Sequence, residues 1–135
     1  MAMLQWPLRN GRPVVQVVLT LTDGQSLVRD LVADTGAGTR DSVFDLILDE
    51  DDCLHCGGVP ADTVRLGGAY VGSFPVYFVD VRIPELGFDQ SIAAVAVSQV
   101  PLGFGGIACF KFLRRFNYGD MNDPDRFCLE SLACP

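Results

Sequence analysis

Val32-Ala33-Asp34-Thr35-Gly36-Ala37 is the stretch on which the reading of this chain turns. Two apolar residues deliver a short carboxylate, and Thr and Gly follow it. A strand that ends at Asp34 fixes the carboxylate on a rigid element and can present it to a partner with accurate placement. Gly36 lets the backbone approach closely and offers an amide with no side chain above it. The Thr35 hydroxyl can hold the loop by hydrogen bonds. Taken alone, Asp34 also reads as a hydrogen-bonded turn aspartate with no chemistry.

The flanking sequence supplies the strand. From Pro13 to Thr22, Val15, Val17, Leu19 and Leu21 share one parity while Gln16, Thr20 and Thr22 fall on the other. That is the period-two pattern of a half-buried strand. Asp23-Gly24 is a hairpin turn signal, and Gln25 to Ala33 reads as the returning strand that leads into Asp34. Downstream, Ser42 to Leu48 alternates as a strand but also permits one helical turn, and Asp49 to Asp52 reads as a solvated acidic loop. Thr63 to Leu66 and Phe74 to Ile83 are two further strands, joined by the glycine-rich tip Gly67-Gly68-Ala69-Tyr70-Val71-Gly72. Ile92 to Val97 is an apolar run of strand length, and Gly103 to Gly106 is a flexible connection. Phe110 to Phe116 reads as a short amphipathic helix and Arg126 to Leu132 as a terminal strand. Many short strands separated by turn signals predict an all-β barrel or sandwich. With 135 residues and no repeat or linker, residues 1–135 are expected to form a single domain.

Two apolar residues followed by Asp34-Thr35-Gly36 resemble the signature of the aspartic peptidases, and Ala37 resembles the retroviral-like branch. A second match runs from Ile107 to Phe116, where the family has apolar residues and a Gly leading into a helix of the form Phe-Leu-x-x-Phe. The tip Gly67 to Gly72 lies between the two matches, where the family has its mobile flap. The resemblance therefore covers most of the chain. Two positions depart from it. Cys109 stands where the family has Gly, so either the loop differs there or Gly105 or Gly106 takes over the role. Gly38-Thr39 stands where the retroviral enzymes more often carry an acidic residue or Ser.

The resemblance implies a small closed β-barrel of the retropepsin type, with a glycine-rich flap hairpin and one short C-terminal helix. It implies an aspartic endopeptidase acting on peptide or protein substrates, with Asp34 as the catalytic residue in an active-site loop of Thr35, Gly36 and Ala37. Gly67, Gly68 and Gly72 would give the flap its backbone freedom, and Thr35 would brace the dimer interface. No second Asp-Thr/Ser-Gly follows an apolar pair; Asp80 has the apolar lead but lacks the rest. One motif per chain therefore predicts a two-fold homodimer. The alternative is a retropepsin-like module without turnover that serves in dimerisation or peptide binding.

Composition excludes other classes. The net charge is −7 and no basic stripe is present, so nucleic acid is not an expected partner. No segment approaches the ~20 apolar residues of a membrane helix. The start, Met-Ala-Met-Leu-Gln-Trp-Pro, lacks a basic stretch followed by a long apolar run, so a cytoplasmic protein is expected. Five cysteines, an odd number, argue against a disulfide framework. Cys53-Leu54-His55-Cys56 has the spacing of half a zinc site, but the chain has a single His and no second pair at that spacing, so no metal or cofactor is expected. Asp120, Asn122, Asp123 and Asp125 lack the glycine and closing Glu of a calcium loop and read as a solvated turn. Arg114 and Arg115 read as helix-surface charges.

Overall fold

The structure is a computed structural model that describes residues 2–132. In chain order the strands are β1 (Met3–Pro7), β2 (Val14–Thr20), β3 (Ser26–Asp34), β4 (Leu46–Asp49), β5 (Asp62–Leu66), β6 (Gly72–Ile83), β7 (Phe88–Val97), β8 (Gly106–Cys109), β9 (Phe116–Gly119) and β10 (Arg126–Ser131). Helix α1 (Glu50–Gly57) follows β4, and helix α2 (Phe110–Leu113) follows β8.

In β2, Val15, Val17 and Leu19 are fully buried at 0% exposure while Gln16 faces solvent, as the alternation requires. Gly24 N donates to Leu21 O at 2.9 Å and Leu21 N to Gln25 O at 2.8 Å, closing the turn at Asp23-Gly24. β3 then returns antiparallel to β2, in register from Val14↔Val32 to Thr20↔Ser26. The other edge of β3 pairs in parallel with β8, whose far edge carries β4; β7 and then β6 follow. β6 comes back to β2 through Val18↔Arg82, Leu19↔Val81 and Thr20↔Asp80. Six strands thus form a closed barrel without open edges. Its interior is filled by Val15, Val17, Leu19, Leu31, Leu46, Leu48, Val79 and Val81, each at 1% exposure or less. Each such side chain contributes about 1.5–3 kcal/mol by leaving water.

Two additions sit on the barrel. β5 pairs only with β6, so β5 and β6 project as a hairpin whose tip is the glycine-rich segment between Leu66 and Gly72. A separate sheet of three strands, in the order β1-β10-β9, joins the two ends of the described chain. Phe127 and Leu129 of that sheet are buried in the main core.

Several elements differ from expectation. Asp49 to Asp52 is no solvated loop. It is the start of α1, where the Asp49 side chain accepts from Asp51 N at 2.9 Å and three acidic residues occupy the first turn. Negative charge is favoured at a helix N-terminus, so the same acidity that marks a loop also starts a helix. Asp52 is buried and bidentate to Arg29, at 2.8 and 3.1 Å. The segment Ser42 to Leu48 resolves as a strand, starting at Leu46. Of Phe110 to Phe116, only Phe110–Leu113 is helical; Phe116 already opens β9. Phe88, Phe112 and Phe116 pack against one another with ring centroids 5.4–5.6 Å apart, which fixes that sharp exit from the helix. Gly106, expected in a flexible connection, begins β8.

Cys53, Cys56, Cys109 and Cys128 are buried free thiols, while Cys134 lies outside the described residues. His55 is exposed on α1. No group of three or more His, Cys, Asp or Glu side chains among the described residues could hold a metal ion. No helix among them is long and apolar enough to cross a membrane.

Candidate functional site

Asp34 is the last residue of β3, and its carboxylate is exposed while Leu31, Val32 and Ala33 before it are buried. The backbone turns immediately. Gly36 N donates to Asp34 Oδ1 at 2.9 Å, and Ala37 N donates to Asp34 O at 3.2 Å. One carboxylate oxygen is therefore held by a backbone amide, and the side chain points where the turn aims it. The turn continues through Gly38, whose φ of +74° suits glycine. A loop then forms in which Thr39 N donates to Ser42 Oγ at 2.8 Å. Thr35 is exposed beside the carboxylate.

The turn is anchored from the opposite direction. β8 runs parallel to β3 with Asp34 level with Cys109, and Phe110 N donates to Ala37 O at 3.0 Å. Cys109 N donates to Asp45 O at 3.1 Å, and Asp45 N donates to Ala93 O at 2.8 Å. Asp45, 2% exposed, receives Arg115 Nε on Oδ2 at 2.8 Å. Arg115 is thus the partner of a buried carboxylate and no free surface charge. A buried carboxylate left without such a partner carries a large desolvation cost. Lys111 Nζ donates to Ser42 O at 2.9 Å and closes the same network. The Asp34 turn, α2 and the start of β4 therefore hold one another.

Cys109 fits this arrangement. Its φ of −82° and ψ of 172° are extended, so the position needs no left-handed backbone. The tight crossing lies three residues earlier: a Cβ at Gly106 would stand 2.1 Å from Ile47 O. Gly106 is therefore the residue that must lack a side chain, one of the two glycines considered for that role. Burial pushes the Cys109 thiol up to about 12, and the nearby Asp34 and Asp45 charges push the same way, so it is a packing residue and not a nucleophile.

A cleft of about 430 Å³ opens beside Asp34. Gly36, Ala37 and Gly38 line one side, and Leu66, Gly67, Gly68, Ala69 and Tyr70 of the hairpin line the other. Phe44, Ile47 and Ile107 form apolar wall between them. The structure thus brings Asp34, Gly36, Ala37, Gly67 and Gly68 to one cleft; Thr35 and Gly72 do not line it. Gly68 and Gly72 have φ of +70° and +129°, giving the tip its bend. Asp80 is exposed in the middle of β6, opposite Ser91, and does not line the cleft. Ser42, Phe44 and Arg65 carry no signal in the sequence: Ser42 and Phe44 reach the cleft from the segment after the Asp34 turn, and Arg65 from the hairpin. No family model matches the chain, and no curated protein matches it.

Proposed function

We propose that two copies of this chain pair about a two-fold axis and act as an aspartic endopeptidase of the retropepsin-like type, each contributing one Asp34. The observation that carries this reading is an exposed carboxylate at a barrel-strand end, aimed by the Gly36 amide into a cleft that a glycine-rich hairpin overhangs. Exposure of a rigidly aimed acid is what a partner's acid would need.

Peptide hydrolysis of this kind needs one group to take a proton from water while another gives one to the substrate. A single carboxyl cannot be in both states. Two carboxyls roughly 3 Å apart share one proton, because two like charges so close do not both ionise. The ionised member takes a proton from water as the water oxygen attacks the scissile carbonyl carbon. The protonated member donates to the carbonyl oxygen. Collapse of the tetrahedral species then breaks the C–N bond as the nitrogen receives the proton taken from water and the second carboxylate recovers a proton from a hydroxyl of the tetrahedral species, so the pair again shares one proton. The hairpin tip, with Gly67, Gly68 and Gly72, would close on bound peptide and exclude water. The exposed Thr35 hydroxyl would brace the partner's matching turn.

The test is cleavage of a mixed peptide library from about pH 3 to 7 over a dilution series, since a shared-proton dyad works in mild acid and an assembled site dissociates by mass action. Cleavage should peak in the acidic range, and activity per chain should fall on dilution. A chain that sediments as a monomer while cutting peptides at full specific activity would refute the proposal.

A further inference from the structure

We infer that the cleft selects peptides with an acidic side chain next to an apolar one, through Arg65. The inference rests on the peptidase reading, because the cleft is the one that holds Asp34. In β5, Val64 and Leu66 pack on the second core cluster, with Phe44, Ile47, Val95 and Ile107 among its members. Arg65, between them, stays exposed and lines the cleft. Among the described residues lining the cleft, Asp34 and Arg65 are the only charged ones.

Most of the other arginines are engaged; Arg12 lies over the Phe104 ring, and Arg114, which also lacks an ion pair among the described residues, does not line the cleft. Arg9 pairs with Asp30, Arg29 with Asp52, Arg115 with Asp45 and Arg126 with Asp123. Arg82 donates to Ser26 Oγ. Arg65 has no ion pair or side-chain hydrogen bond among the described residues, Asp34 included. A chain with 17 acidic residues against 10 basic ones thus leaves a guanidinium unneutralised on the wall of an apolar cleft. A guanidinium in that setting matches a carboxylate in two-point geometry, while the aliphatic and aromatic wall receives the neighbouring side chain. Closure of the hairpin would remove water from the pair and strengthen it beyond an exposed surface pair. In the dimer each hairpin brings one Arg65, so acidic residues on both sides of the scissile bond would be read.

The test uses full-length protein and two fluorogenic peptides with the same apolar centre, one flanked by Glu and one by Gln. Near pH 6, kcat/KM for the Glu peptide should exceed that for the Gln peptide by about tenfold. The preference should fade below about pH 4.3, as the substrate Glu protonates. Arg65→Gln should abolish the preference, Arg65→Lys should keep part of it, and Arg65→Glu should turn it toward Lys-flanked peptides. A parallel arm measures binding of the same peptides to Asp34→Asn protein by fluorescence anisotropy, with the same Glu preference expected. Equal rates for the two peptides, or a preference that survives Arg65→Gln, would overturn the role of Arg65 and leave the peptidase reading standing. Absence of any cleavage would remove the peptidase reading, and the binding arm would still decide: Glu preference lost in Arg65→Gln supports the role, and no preference overturns it.

Discussion

If the proposed peptidase reading holds, replacing Asp34 by Asn should lower kcat/KM for peptide cleavage by about 10²- to 10⁴-fold, the range a general acid–base group contributes. In the proposed homodimer the substitution would remove both carboxyls at once, leaving neither a base for water nor an acid for the substrate. The variant should still fold. Asp34 is exposed, and its one side-chain hydrogen bond in the described structure is accepted from Gly36 N on Oδ1. The amide oxygen of Asn accepts the same bond, so thermal stability should change by no more than about 0.5 kcal/mol. That separation makes the experiment clean: activity falls while the melting curve stays in place. Equal cleavage by both proteins would mean that any hydrolysis arises elsewhere or from a contaminant.

The second large effect is on folding. Gly106→Ala should cost at least ~3 kcal/mol, at the upper end of what overpacking a core exacts. The added Cβ would lie 2.1 Å from Ile47 O, 3.1 Å from Ile47 C and 3.0 Å from a Leu48 methyl. β8 is flanked by β3 on one edge and β4 on the other, with Gly106 level with Leu31 and with Leu48. The carbonyl in the way is backbone, and moving it disturbs barrel pairing on both sides. A fall in melting temperature of roughly 10 °C or more follows for a domain of this size. Gly105→Ala serves as the comparison. Its Cβ would meet Arg29 Cδ at 2.7 Å and Arg29 Cβ and Cγ at 3.2 Å, a side chain held by Asp52, so it should also destabilise, but by less, because no backbone carbonyl has to move. If Gly106→Ala melts with the wild type, the crossing of β8 and β4 has room for a Cβ.

What could be read from the sequence follows from how local each signal is. The alternation in β2, the Asp23-Gly24 turn and the strand into Asp34 are set by neighbours a few residues apart, and they stand in the structure with small shifts at their ends. The glycine-rich tip is likewise a local signal and forms the β5–β6 connection. Strand patterning alone reaches only an all-β barrel or sandwich; the family resemblance supplies the closure. Closure depends on Val18–Thr20 meeting Asp80–Arg82, a pairing that no local pattern announces. The Asp45–Arg115 bond spans 70 positions, so Arg115 looked like a surface charge. Cys109 looked like trouble for a tight loop because the motif alone did not say where the crossing falls; it falls at Gly106. The acidic start of α1 reads as a loop in the sequence because helix N-termini and solvated loops favour the same residues. Arg65 carries no signal, since Asp34, Phe44, Ile47 and Ile107, with which it shares the cleft, lie in other parts of the chain.

In the proposed dimer each active site contains two Asp34 carboxyls, one from each subunit. Mixing wild-type and Asp34→Asn chains at fixed total concentration, after full subunit exchange, counts them directly. If both carboxyls are required, activity follows the square of the wild-type fraction, so an equal mixture retains about a quarter of full activity by binomial pairing of subunits. Activity that falls in simple proportion, to about half in the equal mixture, would mean that each chain works with its own carboxyl alone, and would contradict the shared dyad.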